Sequence, residues 1–120
     1  MSIKPDDIKR GEIWRVNFDP TIGTEIKKTR PAIVISSDSI GKLPIKMIAP
    51  ITGWEPKFEN SVWHIKIQPD SKNNLTKLSS IDSLQIRGVD VQRFIPPKIG
   101  DISKDQLDEV TAAIAAVIEL

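Results

Sequence analysis

The sequence contains no cysteine and no tyrosine, and His64 is its single histidine. Without cysteine there can be no disulfide framework, no thiolate zinc site and no cysteine nucleophile. One histidine excludes a metal site built on paired histidines and a two-histidine acid–base pair. An excess of either charge is lacking too. The 17 Lys and Arg nearly balance the 16 Asp and Glu, for a net charge of +1. Any basic surface for nucleic acid must therefore be local. No apolar run approaches the ~18 residues of a membrane span, and no charged-then-apolar leader opens the chain. "GTEIKKT" has neither the glycine spacing nor the following helix of a phosphate loop. No GxSxG elbow, internal repeat or low-complexity tract occurs. These absences lead us to expect a soluble, intracellular protein with no membrane contact, for which the lack of cysteine fits the cytoplasm; no residue pattern calls for a cofactor. Its 120 residues fit a single domain over 1–120 with a modest core.

What is present reads mainly as strand. Residues 1–11 are polar and read as a short tail or turn. "EIWRVNF" alternates, with Trp14, Val16 and Phe18 on one face and Arg15 and Asn17 on the other, as in a half-buried strand. "DPTIGTEIKKT" has turn residues and no period, and a loop of that length in a small domain is often functional. "PAIVISS" is a β-branched run entered through Pro31, which suits a central strand. In "IKMIAPIT", Ile45, Met47, Ala49 and Ile51 share the expected core face, and Thr52 projects to the other. "VWHIKI" sets Trp63, Ile65 and Ile67 against His64 and Lys66. "LSSIDSLQIRGVD" changes register, predicting a bulge or bend. Beyond Ser103 the period becomes helical through Leu107, Val110, Ile114, Val117 and Ile118, with Ser103 and Gln106 spaced as a capping box. The expected fold is mainly β: five or six strands in a small, bent sheet or barrel, with a C-terminal helix packed on it.

The polar residues left for chemistry suit a phosphate better than a carbonyl. Arginine grips phosphate oxygens bidentately and is a poor proton donor. "TEIKKTRPAIVISS" puts Lys27, Lys28 and Arg30 immediately before the buried run. By themselves these residues have plain alternatives. Arg30 could close a turn or pair with Glu25, and Lys27 and Lys28 could be a solvated pair. Thr52 could end a strand, and His64 could be an idle outward residue. Trp54 could anchor a loop or serve as a base-stacking platform.

Taken in order, the motifs carry more. "RGEIWRVNFDPTIGTEIKKTRPAIVIS", then "APIT", then "LSSIDSLQIRGVDVQRF" and "IGDIS" before the terminal helix, resemble the MazF/PemK family of bacterial toxin endoribonucleases from about Arg10 to the C-terminus. The resemblance implies an SH3-like small β-barrel that forms a homodimer. It implies metal-independent, sequence-preferring cleavage of single-stranded RNA, leaving 2′,3′-cyclic phosphate and 5′-hydroxyl ends. It also implies a cognate antitoxin whose disordered C-terminal segment blocks the RNA groove. Arg30 matches the family's catalytic arginine and Thr52 its catalytic threonine. Glu25 matches the loop glutamate that orients the arginine or accepts the 2′-hydroxyl proton. By the same matching, His64, Gln85 and Arg87 are RNA-binding candidates, joined by Lys27, Lys28 and Trp54. Two positions depart from the pattern: Gly53 where many relatives have Ser or Thr, and Leu84 where many have an acid. Both bear on the cleavage sequence more than on the chemistry. The alternatives from other classes are a DNA gyrase-binding toxin, which needs neither Arg30 nor Thr52, and a non-catalytic SH3-like interaction module, for which aromatics are few.

Overall fold

A computed structural model describes residues 3–120. The strands are β1 (Glu12–Asn17), β2 (Thr29–Val34), β3 (Ile45–Gly53), β4 (His64–Ile67), β5 (Ser79–Asp82), β6 (Arg87–Asp90) and β7 (Phe94–Asp101), followed by the helix α1 (Lys104–Val117). All pairings are antiparallel. The order across the sheet is β4-β5-β3-β2-β1-β7, and β6 also pairs with β3. Among the described residues β4 and β7 do not pair, so the bent sheet is barrel-like without being closed by hydrogen bonds.

β3 organises the fold. One of its edges pairs with β2. The other pairs with β6 along Ile45–Ile48 and with β5 along Ile51–Gly53. The change of partner falls at Ser83–Ile86, the bend expected from the mixed register of "LSSIDSLQIRGVD". The two faces of this bent sheet bury separate apolar clusters. One gathers Trp14, Val16, Phe18, Ala32, Val34 and Ile48. The other gathers Ile13, Ile33, Ala49, Ile51, Ile67 and Ile81 under Leu107 and Val110 of α1. Each fully buried Ile or Val side chain stabilises the fold by about 1.5–3 kcal/mol.

Three sequence expectations need correction. There are seven strands, not five or six. β7 was missed because Pro96 and Pro97 argue against a strand. Proline is tolerated there because β7 is an edge strand and the two prolines fall in the register shift opposite β1, between the Ile13–Gly100 and Arg15–Ile95 pairs. The core face expected for β3 holds only for its second half. Ile45 and Met47 are 46% and 42% exposed, while Lys46 and Ile48 are buried. A strand between two clusters buries both faces, so simple alternation fails. The segment 1–11 is not merely a tail, because Ile8 is buried in the first cluster after a single turn at Pro5–Asp7. Met1 and Ser2 lie outside the described residues. The C-terminal helix is as expected. Ser103 Oγ accepts from the Gln106 N–H at 3.1 Å, and Gln106 Oε1 accepts in return from the Ser103 N–H at 3.3 Å.

Candidate active site

Arg30 and Thr52 come together through strand register. β2 and β3 pair Ala32 with Pro50 and Val34 with Ile48. The same register continued two residues along both strands sets Arg30 opposite Thr52. Both side chains are half-buried, and both line a groove of about 960 Å³. The Arg30 Nε–H donates to the Lys27 carbonyl at 3.0 Å, which fixes the plane of the guanidinium and leaves its two terminal nitrogens for a ligand. The alternative pairing of Arg30 with Glu25 is not formed among the described residues. The Glu25 carboxylate instead accepts from the Ile22 N–H of its own loop.

The far wall of the groove is aromatic. The Trp54 and Phe58 rings meet edge to face at 5.7 Å, and Lys66 Nζ stands 4.9 Å above the indole. Phe58 stacks flat on the His64 imidazole at 3.7 Å. His64 Nδ1 and Ser61 Oγ are hydrogen-bonded at 2.8 Å, and His64 Nε2 faces Asp82 Oδ2 at 3.8 Å. Burial holds the His64 pKa below its ordinary 6.5 despite the Asp82 carboxylate opposing it; Lys57 adds to the lowering and Glu55 opposes it. At neutral pH the imidazole is therefore an uncharged hydrogen-bonding surface.

Of the residues proposed from sequence, the groove unites Arg30, Thr52, Trp54, His64 and Gln85. It does not unite the rest. Glu25 and Arg87 line an adjoining cleft of about 370 Å³, to which Gln85 also belongs. The Arg87 guanidinium is engaged there, donating to the Phe18 carbonyl at 3.1 Å and standing over the Phe18 ring. Lys27 and Lys28 are exposed on the β1–β2 loop and line neither the groove nor the adjoining cleft.

Sequence reasoning passed over several groove and loop residues. Phe58 and Ser61 were hidden in a polar loop; a lone Phe in "EPKFEN" was the available signal. Buried Asp82 accepts the Leu84 and Gln85 N–H groups, which shapes the turn that presents Gln85. Arg93 donates to the carbonyls of Asn17 and Asp19 at 3.0 and 2.6 Å. With Arg87 on Phe18 and Gln85 Oε1 accepting from the Ile26 N–H at 2.6 Å, the β1–β2 loop is gripped at both ends.

The model of PemK-like, MazF-like toxins of type II toxin–antitoxin systems matches residues 9–118. The chain belongs to that family. A relative within reach by sequence is Endoribonuclease MazF9 of Mycobacterium tuberculosis, 28% identical over 116 residues, spanning 94% of this chain and 98% of the relative. MazF from Deinococcus radiodurans shares the fold at a TM-score of 0.78, with 18% identity over 93% of this chain and 96% of that one. An endoribonuclease from Mycobacterial species, solved in complex with its cognate antitoxin, superposes at 0.72, with 13% identity over 93% of this chain and 95% of that one. The PemK/MazF toxin fold is thus shared over about 93% of the chain. Among the described residues no helix is long and apolar enough to cross a membrane, and no group of three or more His, Asp or Glu side chains could hold a metal ion.

Proposed function

We propose that the chain is a metal-independent endoribonuclease toxin that cleaves single-stranded RNA, with Arg30 and Thr52 at the scissile phosphate. The observation that carries this reading is their convergence, by strand register, in one groove with an aromatic wall. Family membership supports it. In the reaction the ribose 2′-oxygen attacks phosphorus, and a P–O2′ bond forms as P–O5′ breaks. The 2′-hydroxyl loses its proton and the departing 5′-oxygen gains one. The products are a 2′,3′-cyclic phosphate and a 5′-hydroxyl. The guanidinium, preorganised by Lys27, stabilises the extra charge of the phosphorane, and the Thr52 hydroxyl donates to a phosphate oxygen. We assign Glu25 to proton acceptance. That role requires its loop to close over RNA, since the carboxylate faces the adjoining cleft without it.

Trp54 offers a base-stacking face, and His64 and Gln85 offer hydrogen-bonding groups to base edges. Lys27, Lys28 and Arg87 add positive charge beside the groove. This reading treats residues 1–120 as one toxin domain acting in the cytoplasm as a homodimer. A cognate antitoxin would occupy the same groove as RNA. The test is cleavage of a long single-stranded RNA in EDTA with both product ends identified. Cyclic phosphate and 5′-hydroxyl ends are the expected result. Cleavage that needs a divalent metal, or that leaves a 5′-phosphate, would refute the mechanism.

A further inference from the structure

Lys77 lies in the β4–β5 connection and belongs to none of the motifs read from the sequence. Its stem crosses the face of Gly53. A Cβ built on Gly53 would meet Lys77 Nζ at 3.2 Å, Cε at 3.3 Å and Cδ at 3.9 Å. The ammonium therefore occupies the space where any other residue would carry its side chain, next to Thr52. Lys77 also lines a small cavity of about 130 Å³ with Arg30, Thr52, Thr29, Thr76 and Ser79. No carboxylate lines that cavity. Among the described residues the Lys77 ammonium has no carboxylate within ion-pairing distance and no hydrogen-bond acceptor. Two cations and several hydroxyls thus converge on one solvent-open space with nothing negative to balance them, and such a constellation attracts an anion.

We infer that Lys77 is a phosphate-contacting residue of the RNA site, holding the phosphate next to the one gripped by Arg30 and Thr52, and that Gly53 is the residue that admits it. The flexible stem suits a point contact to a neighbouring phosphate, whereas the fixed guanidinium suits the scissile one. The inference rests on the ribonuclease reading and adds to it the contact that sets the reach of the groove along the strand.

The experiment is kcat/KM for cleavage of a single-stranded RNA across a NaCl series, for wild type, Lys77→Met, Lys77→Arg and the control Lys104→Met. Lys104 lies on α1 and is well exposed. Each phosphate contact on a single strand contributes about 0.7 to the salt slope, so Lys77→Met should lower that slope by about 0.7 and reduce kcat/KM by about eightfold at ~50 mM salt. Lys77→Arg should restore most of both, and Lys104→Met should change neither. Gly53→Ser should cause a similar loss alone and little further loss in Lys77→Met, because the serine displaces the same ammonium. An unchanged slope in Lys77→Met, with wild type active, overturns the inference and leaves the ribonuclease reading standing. Absence of cleavage by wild type at every salt concentration overturns both.

Discussion

His64 shows how burial, rather than charge pairing, sets the chemistry of this groove. Its ring is stacked on Phe58 and bonded to Ser61, and desolvation outweighs the nearby Asp82 carboxylate. Its pKa in the folded chain lies below the unfolded 6.5. Between those two values the unfolded chain binds more protons, so stability falls as pH drops. The loss begins as pH falls through 6.5 and is complete below the folded pKa. Urea unfolding of wild type and His64→Gln at pH 7.5 and pH 5 checks this: the stability difference between the two pH values should be smaller in the variant. Equal pH dependence would show that His64 is not the group responsible. The candidate residues that share the groove were legible in the sequence; their surroundings were not. "TRPA" and "PIT" offer Arg30 and Thr52 as candidates, but the Lys27 carbonyl three residues before Arg30 meets its guanidinium only through the fold of an aperiodic loop, and the Lys77 stem reaches Gly53 from a distant segment.

Among the elements, the β1–β2 loop carries both Glu25 and the Lys27 carbonyl that holds Arg30. Its ends are held by Arg87, Arg93 and Gln85, all from the β5–β7 segment. Arg93 makes two of these ties, with one guanidinium nitrogen on two carbonyls. Charge-assisted hydrogen bonds at an exposed site are worth about 1–2 kcal/mol in total, so Arg93→Ala should speed amide hydrogen exchange in residues 18–28 by roughly 5–30-fold. Exchange in α1 should not change. RNA should slow exchange in residues 22–29 if the loop closes to deliver Glu25; equal protection with and without RNA would count against that closure. The strands and the helix were largely readable, because alternation and the Ser103–Gln106 box are local signals. β7 was not, because its prolines forbid a central strand and the edge position that tolerates them is a property of the whole sheet.

For the whole molecule, two clusters on opposite faces of one bent sheet explain why alternation misjudged β3. Both clusters lie across β3, so its two halves turn different residues inward. This leaves Ile45 and Met47 as exposed apolar residues on β3, and Ile45 packs against Gly88 of β6. The homodimer assigned above has this patch available to bury. Sedimentation should find the 13.4 kDa chain as a dimer, and Met47→Lys should shift it toward monomer. An unchanged dimer in that variant would place the interface elsewhere.

The ribonuclease reading stands on Arg30. The most direct measurement is the single-turnover cleavage rate of a single-stranded RNA in EDTA by wild type and by Arg30→Ala, with the circular dichroism of both recorded. A preorganised donor to a developing oxyanion is worth about 100-fold or more, so the variant should lose at least that much rate while keeping its fold. A folded Arg30→Ala protein that cleaves at the wild-type rate would contradict the assignment of the centre to the register-paired Arg30 and Thr52.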